Sequence, residues 1–401
     1  MRLCLVSQEF PPETAKGGIG THNHTVAHGL AGLGHEVIVL SHSVDDQPHE
    51  KKEGALRVVR IPGCDVKFPF TTEPVRWLGY SVEVAAKVQE LHSKTPLDIV
   101  VFPEWGGEGY IHLLNQTEWN RIPTAVHIHG SLSMFAEKMD WPEKDSEFYR
   151  VGTMMESTCL RLADAVSSSS RYSADWCTKH YHLKRDYTPV LHAGVDAEFF
   201  SPQNEKLDRP TVIFVGGISS NKGVPLLVEA MLQLAPRFAG LRLQLVGKGD
   251  ARLIEDAKKK TAAAGFPDLI EFLGFIERKD LPLYLSRAHV FAGPSIFEGG
   301  PGYAYLEAMA CELPVIASSG TGAAEVINDR ETGFLTHPHD LNAFTGRIEE
   351  LLSNAALRKT MGSKARQYVL REAEIKICLR RIEAFYTAVA SGKPYAEIPC
   401  V

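Results

Sequence analysis

Two glutamates bracket a run of glycine and proline inside the stretch FEGGPGYAYLEAMACELPV, residues 297–315. Glu298 precedes the run GGPG, and Glu307 lies in the helical pattern that follows it. Backbone N–H groups at a helix start attract phosphate, and carboxylates accept hydrogen bonds from sugar or ribose hydroxyls. We therefore expect a ligand with both groups here, with loop N–H groups such as that of Gly300 facing the phosphate. The alternative is that Glu298 is an exposed loop charge and Glu307 solvates its helix.

Two further glycine-rich loops precede helical patterns. The first is KGGIGTH, residues 16–22, whose glycines (Gly18 among them) let the backbone approach a phosphate. The second is GGISSNKG, residues 216–223, where the ammonium of Lys222 can neutralise a diphosphate. A tight connecting turn and a solvated lysine are the alternatives for these two loops.

Polar residues also follow two strand patterns in the first half of the chain. His129 ends the pattern TAVHIH, and Glu104 follows DIVVFP and precedes Trp105. Because ligands bind beyond the carboxyl ends of parallel strands, we expect His129 to reach a ligand hydroxyl and Glu104 and Trp105 to face a second substrate. Trp105 as a core residue is the alternative. A metal site at the pair His127 and His129 lacks an accompanying carboxylate or cysteine cluster, so we predict no metal.

The elements that must position these residues alternate short apolar strands with amphipathic helices, which is typical of doubly wound parallel sheets. One series occupies residues 1–200, and a second follows the polar stretch 201–210 and continues to residue 374. We predict an α/β chain with two Rossmann-like domains that face a central cleft. A last amphipathic helix, residues 375–389, either closes the second domain or returns to the first. The strand patterns lie at residues 3–7, 37–41, 98–102, 124–129, 165–170, 211–217, 241–247, 270–274, 290–295 and 314–318.

Composition narrows the classes of function. The chain has 401 residues, 44% of them hydrophobic, and a formal charge of −6, which gives no electrostatic footprint for nucleic acid. No run approaches the roughly 18 apolar residues of a spanning helix, and no signal-peptide pattern opens the sequence. The seven cysteines contain no CxxC pair, which favours free thiols in a reducing compartment. We expect a cytoplasmic protein; peripheral contact with the inner face of a membrane and the oligomeric state are left open.

Taken together, these stretches resemble glycosyltransferase family 4, the group 1 glycosyl transferases, over nearly the whole chain. The N-terminal loop, helix and GHEV strand, the segment HIHGS and the segment LHAGVDAEFFSP resemble the first half of that family. The segments FVGGISSNKGVPLLVEA, LQLVGKGD and GGPGYAYLEAMACELPVIASSGTGAAEV follow its second half in order and spacing. The resemblance implies the GT-B fold and a retaining hexosyltransferase whose donor is a nucleoside-diphosphate sugar such as a UDP- or GDP-sugar. It implies no further cofactor.

The resemblance also implies roles for individual residues. His129 would reach a donor-sugar hydroxyl, Glu298 the transferred sugar, and Glu307 the ribose. The remaining donor contacts would come from backbone or charged groups at Gly18, Lys222, Gly247, Gly302 and Tyr303. The chain departs from the family at three places: Gly217 stands where an arginine is usual, Ala193 stands where an asparagine is usual, and the loop between the two glutamates is one residue longer. One phosphate contact is therefore missing at Gly217 or comes from elsewhere.

The predicted reaction is sugar transfer from the donor to a hydroxyl of a small molecule or glycan, without a metal. A related epimerase or phosphorylase is one alternative, and a non-catalytic sugar-nucleotide-binding protein is another. Product formed without an acceptor, or a requirement for phosphate, would favour the first alternative. Tight donor binding without turnover would favour the second. The sequence itself does not identify the donor base, the sugar or the acceptor.

Overall fold

The computed structural model describes residues 1–14, 17–63, 72–184, 188–203 and 205–393. Contacts divide the chain into two compact units. The N-terminal unit contains Met1–Ala193 together with the C-terminal segment that begins at Lys376, and the C-terminal unit contains Gly194–Ile375. Lys16, the first residue of the glycine-rich stretch KGGIGTH, and residues 64–71 lie outside the described residues.

The N-terminal unit is built on a sheet that has seven strands among the residues described. These are β1 (Arg2–Val6), β2 (Glu36–His42), β3 (His49–Glu53), β4 (Leu56–Ile61), β5 (Ile99–Pro103), β6 (Thr124–Ile128) and β7 (Ala165–Ser168). Their spatial order is β3-β4-β2-β1-β5-β6-β7. All neighbours pair in parallel except β3 and β4. Strands β5 and β6 are buried at every position and β2 at its five central positions, because helices cover both faces of a parallel sheet.

Six helices of this unit connect the strands. They are α1 (Gly18–Gly32), α2 (Glu73–Lys94), α3 (Tyr110–Leu114), α4 (Leu132–Met139), α5 (Glu147–Leu162) and α6 (Arg171–His180). Helix α1 buries one apolar face that includes Val26 and Leu30 against the sheet. Both α5 and α6 begin at a serine, Ser146 and Ser170, whose side chain accepts a hydrogen bond from the first turn.

The C-terminal unit contains a fully parallel sheet in the order β10-β9-β8-β11-β12-β13. Its strands are β8 (Thr211–Val215), β9 (Arg242–Val246), β10 (Ile270–Gly274), β11 (Val290–Gly293), β12 (Val315–Ser318) and β13 (Gly333–Thr336). Its helices are α7 (Val224–Leu234), α8 (Ala251–Ala263), α9 (Leu281–Arg287), α10 (Tyr303–Ala310), α11 (Leu341–Ser353) and α12 (Ala355–Tyr368). Both predicted series of strands therefore form Rossmann-like sheets.

The last helix, α13 (Ile375–Ala390), packs on the N-terminal unit. Leu379 lies so close to Gly29 of α1 that a Cβ there would meet its Cδ1 at 2.3 Å. The Nε2 atom of His35 lies 2.8 Å from Oε1 of Glu383 and ties the start of β2 to the same helix. Of the two positions that the sequence left open for this helix, the structure shows the return to the first unit.

The strand predictions are correct in position but too long at several carboxyl ends. Strands β6, β8 and β11 each end before the polar or glycine residues that the sequence patterns included, so those residues lie in loops. The helix after the GGPG run begins at Tyr303 and not at Pro301, because Gly302 adopts a left-handed conformation. Among the described residues, no helix combines the length and hydropathy that a bilayer crossing requires.

Candidate functional site

Two loops at the carboxyl edge of the C-terminal sheet touch through their backbones. Gly223 has φ +72°, and a Cβ at this position would lie 2.0 Å from the carbonyl oxygen of Pro294. Beside it, the N–H of Ile296 donates to the carbonyl oxygen of Asn221 at 2.8 Å. Since only glycine fits so close an approach, this contact fixes the loop after β8 against the loop after β11.

The contact brings Lys222 and Glu298 together. The Nζ atom of Lys222 lies 2.6 Å from Oε1 of Glu298, and the same oxygen accepts a hydrogen bond from the hydroxyl of Ser295 at 2.9 Å. The side chains are 29% and 16% exposed, so a ligand can reach the ion pair. The two residues that the sequence placed in different motifs thus form one group.

The GGPG run leads into the open N-terminus of α10. Gly302 has φ +64° and precedes Tyr303, and no side chain caps the helix. The backbone at Gly322 packs closely against this loop, because a Cβ on Gly322 would lie 2.7 Å from the carbonyl oxygens of Gly299 and Gly300. First-turn N–H groups without an intrahelical partner attract anions. The helix start beside the Lys222–Glu298 pair is therefore suited to a phosphate.

Glu307 lies inside α10 and forms a second ion pair. Its Oε1 atom lies 2.6 Å from Nη1 of Arg278, in the loop after β10. Burial raises the pKa of Glu307, and the Arg278 guanidinium opposes that shift. Arg278 is 52% exposed and also lies over the ring of Phe200, 4.9 Å from its centroid. We call Lys222, Arg278, Glu298 and Glu307 the charged edge.

Glycines end the two neighbouring strands β8 and β9. Gly247 has φ +137°, and a Cβ there would lie 1.9 Å from the carbonyl oxygen of Gly216. Gly217 is exposed, and a Cβ on it would have nothing within 4 Å. Gly247 is thus required by packing, whereas Gly217 leaves open space at the charged edge.

In the N-terminal unit, three histidines meet near the carboxyl ends of β1 and β6, one in α1, one within β6 and one directly after it. The ring of His22 stacks on that of His127 with 4.6 Å between centroids, and the ring of His129 lies 4.9 Å from His22 and 4.6 Å from His127. The nitrogens of His127 are hydrogen-bonded to the hydroxyls of Ser167 and Ser169 at 2.8 and 3.0 Å.

Burial keeps these histidines neutral. It lowers the pKa of His129 to about 3 and the pKa of His22 and His127 well below 6.5, and neighbouring histidines lower the latter two further. A neutral imidazole offers one donor and one acceptor. His129, which stays partly exposed, is thus able to hydrogen-bond a hydroxyl.

The same histidines are also the group of described residues with metal-ligand geometry. Their nitrogens lie within 4.8 Å of one another. A metal ion there would have to displace at least one of the serine hydroxyls from His127. The expectation of a site without a metal stays a prediction.

Glu104 holds the backbone of His129 in place through hydrogen bonds. Its carboxylate accepts hydrogen bonds from the backbone N–H of His129 at 2.8 Å and from that of Gly130, and the residue is 0% exposed. Burial raises the pKa of Glu104 to about 7, although these N–H groups oppose the shift. Both oxygens are buried against the backbone, and a role of Glu104 toward a second substrate stays a prediction. We call His22, Glu104, His127 and His129 the histidine edge.

Trp105 lies in a group of aromatic side chains. Its ring centroid is 5.6 Å from that of Trp77 and 5.0 Å from that of Phe135. The side chain is partly buried against this cluster, as the core alternative expects, and part of it stays exposed. Its role toward an acceptor stays a prediction.

The glycine-rich loop of the N-terminal unit leads into α1. Gly18 is exposed, and a Cβ on it would have nothing within 4 Å. The N–H of Gly20, two residues further on, donates to the carboxylate of Glu9 at 3.2 Å. The backbone at Gly18 accordingly leaves room for a ligand, and its contact with a phosphate stays a prediction.

The sequence did not predict Arg278 or the serines that hydrogen-bond to residues of the two edges. Arg278 and Ser295 are common polar residues outside any glycine-rich motif, and only the fold brings them to Glu307 and Glu298. Ser167 and Ser169 belong to the run SSSS, which the strand pattern absorbed. Its alternation is the signal that was available, since residues two apart on a strand face the same way.

Comparison with protein families covers both units. The model for glycosyltransferase family 4 matches residues 16–199, and the model for glycosyl transferases group 1 matches residues 195–368. The two matches together include both edges.

Individual relatives align over nearly the full chain. A glycogen synthase of Mycobacterium tuberculosis is 25% identical over 100% of this chain and 98% of its own. A GDP-mannose-dependent alpha-(1-6)-phosphatidylinositol monomannoside mannosyltransferase of Mycolicibacterium smegmatis is 25% identical over 92% and 94%. Among solved structures, the sucrose-phosphate synthase of Thermosynechococcus elongatus superposes with a TM-score of 0.82 at 23% identity, over 98% of this chain and 100% of its own. The structural likeness shows a shared GT-B fold.

Proposed function

The chain belongs to the glycosyltransferases of group 1 and family 4, with a GT-B fold and hexosyltransferase-type activity, and on this premise we propose that its donor is a nucleoside-diphosphate sugar bound at the charged edge. The mannosyltransferase of Mycolicibacterium smegmatis is named for its use of GDP-mannose, which agrees with a donor of this class. The acceptor is a hydroxyl of a small molecule or a glycan.

The ion pair between Lys222 and Glu298 carries this proposal. Its atoms are 2.6 Å apart and partly exposed, and the open N-terminus of α10 lies in the same loop system. A diphosphate competes with Glu298 for the Lys222 ammonium. Once Lys222 has turned to the phosphate, the Glu298 carboxylate is free to accept hydrogen bonds from the transferred sugar.

Charge stabilisation on the departing nucleoside diphosphate is the main chemical task. The bond from the anomeric carbon to the phosphate oxygen breaks, and negative charge grows on the diphosphate as the sugar gains oxocarbenium character. The Lys222 ammonium and the N–H groups at Gly302 and Tyr303 stabilise that charge with no metal in this scheme. Glu307 accepts hydrogen bonds from the ribose hydroxyls, and its ion pair with Arg278 favours the charged carboxylate against the effect of burial, which raises its pKa.

The N-terminal unit supplies uncharged groups. In our proposal the backbone at Gly18 approaches the donor phosphate, and the neutral ring of His129 hydrogen-bonds a donor-sugar hydroxyl. Glu104 is a positioning residue, because it holds the backbone N–H of His129. Transfer proceeds with retention of configuration: the acceptor hydroxyl attacks from the face that the diphosphate leaves, its oxygen bonds to the anomeric carbon, and its proton passes to the departing phosphate oxygen.

Release of nucleoside diphosphate tests the proposal. A thermal-shift screen of UDP-, GDP- and ADP-sugars first identifies the donor that raises the melting temperature. Turnover is then measured with that donor and a broad acceptor panel, for wild type and Lys222→Ala. We expect acceptor-dependent release in wild type and a loss of about 100-fold or more in the variant. Equal, slow release from both proteins contradicts the proposed function.

A further inference from the structure

The charged edge has an open position where β8 ends. A donor of the proposed class carries two phosphate charges, but Lys222 is a single cation and already shares its charge with Glu298. Gly217, the second residue after β8, is exposed and contributes no side chain. A further cation that reaches this space would complete the neutralisation of the diphosphate.

The pairing of β8 with β9 identifies the residue beside that space. Val215 pairs with Val246, and the parallel register continues beyond the strands to the bridge between Ile218 and Gly249. The N–H of Ile218 also donates to the carbonyl oxygen of Lys248 at 2.9 Å. In this register Gly217 lies opposite Lys248, at the interstrand spacing of about 4.8 Å. Residues that pair in a parallel ladder project from the same face of the sheet.

The Lys248 side chain is available at this edge. It is exposed, and its Nζ atom lies 5.9 Å from the ring centroid of Phe275, the residue after β10. Within the described part of the chain, no carboxylate lies within ion-pair distance of it, in contrast to Lys222 and Arg278. The contact of an ammonium with an exposed aromatic ring is weak, so a phosphate can draw the Lys248 ammonium away from Phe275.

We propose that Lys248 binds the donor diphosphate through the space that Gly217 leaves open, as the second cation of the charged edge. This inference rests on the proposed function for the nature of the ligand. It assigns to Lys248, the second residue after β9, the phosphate contact that Gly217 does not provide.

Two substitutions, which remove a cation at position 248 and add one at position 217, test this proposal. Lys248→Met removes the ammonium, and we expect the Kd for UDP or GDP, whichever binds more tightly, to rise about tenfold in calorimetry, with a weaker dependence on salt. Adding Gly217→Arg to that variant restores a cation from the neighbouring strand. Gly217 lies outside the left-handed region and has room for a side chain. We therefore expect the Kd of the double variant to return to within about threefold of wild type.

Lys258→Met is the matched control. Lys258 lies in α8 and its Nζ atom is also placed over a phenylalanine ring, 5.3 Å from the centroid of Phe272. Its loss should leave the Kd within about twofold. An unchanged Kd in Lys248→Met overturns the proposal, as does a loss that Gly217→Arg leaves uncorrected in a protein with the wild-type melting temperature. Binding of UDP and GDP is measured without transfer. Absence of turnover in wild type would therefore contradict the proposed function, while the effect of Lys248→Met on nucleotide binding could still be interpreted.

Discussion

The charged edge and the histidine edge occupy equivalent places in their two sheets, but one consists of ion pairs and the other mainly of neutral imidazoles. Both gather polar side chains beyond the carboxyl ends of a parallel sheet. At the charged edge, each of the two ion pairs of 2.6 Å contains a cation that solvent reaches, Lys222 at 29% and Arg278 at 52% exposure, although the Glu307 carboxylate is buried. At the histidine edge, burial holds the imidazoles neutral, and a carboxylate with no exposed surface fixes the backbone of His129.

The contrast indicates a division of labour. A charged ligand group is best received where cations are present and can turn toward it, which favours affinity for the diphosphate. A hydroxyl that must be held in one orientation is best received by a rigid, desolvated group, which favours rate. Substitutions at the charged edge should therefore weaken donor binding, and at Lys222 also transfer, whereas substitutions at the histidine edge should change the rate with little effect on donor affinity.

Loss of the Lys222 charge has the largest expected effect. In Lys222→Met the leaving diphosphate loses its ammonium and Glu298 loses its ion-pair partner. We expect kcat/KM to fall about 100- to 1,000-fold, measured by release of nucleoside diphosphate. Lys258→Met is the control and should stay within about twofold of wild type. A similar fall in both variants would show that general loss of positive charge, and not this position, is responsible.

The ribose contact should follow with a smaller effect. Glu307→Gln keeps one acceptor oxygen but loses the charge that pairs with Arg278. We expect the donor KM to rise about tenfold while kcat changes less than about threefold, because the ribose is bound equally in the ground and transition states. Steady-state kinetics with varied donor measures both constants. A selective fall in kcat would place Glu307 near the reacting centre instead.

Glu104 tests whether the histidine edge depends on rigidity. Glu104→Gln replaces one acceptor oxygen by an N–H₂ group that faces backbone donors, and we expect a loss of about 1–3 kcal/mol in the free energy of unfolding. In the same variant kcat should fall severalfold with the donor Kd unchanged. Urea denaturation and calorimetry provide the measurements. Glu83→Gln, an exposed change in α2, should alter stability by less than about 0.5 kcal/mol.

The smallest expected effect is on the pH dependence of stability, and it concerns Glu108, another buried acid of the N-terminal unit. Burial raises the pKa of Glu108 from 4.5 to about 8, and one of its carboxylate oxygens is buried without a hydrogen-bond partner among the described residues. Between these two pH values the folded protein keeps a proton that the unfolded chain has lost, so stability falls as pH rises toward 8.

Glu108→Gln removes this titration. Relative to wild type it should gain about 1 kcal/mol of unfolding free energy per pH unit between pH 6 and 8, and little below pH 4.5. Urea melts at several pH values give the difference. A constant offset at all pH values would show that Glu108 is charged in the folded protein.

The sequence predicted the two sheets and most strand positions because strict alternation of apolar runs with amphipathic helices leaves few other arrangements. It did not predict β3, whose residues HEKKE are all exposed and have no apolar pattern. It also missed β4 and the short strand β13.

At the site, Lys222, Glu298 and Glu307 could be predicted because glycines mark the loops that hold them. The direction of Glu104 could not, since a residue at a strand end can face a ligand or the backbone of the next strand. Arg278 likewise depends on the approach of β10 to α10, which no local pattern records.

The central claim is that the charged edge binds the donor diphosphate while the histidine edge serves the transfer step. Calorimetric titration of the donor found by thermal shift into wild type, Lys222→Met and Glu104→Gln tests it most directly. The account predicts a Kd at least tenfold weaker in Lys222→Met and within about twofold of wild type in Glu104→Gln. Equal donor affinity in wild type and Lys222→Met, or a selective loss in Glu104→Gln, would contradict it.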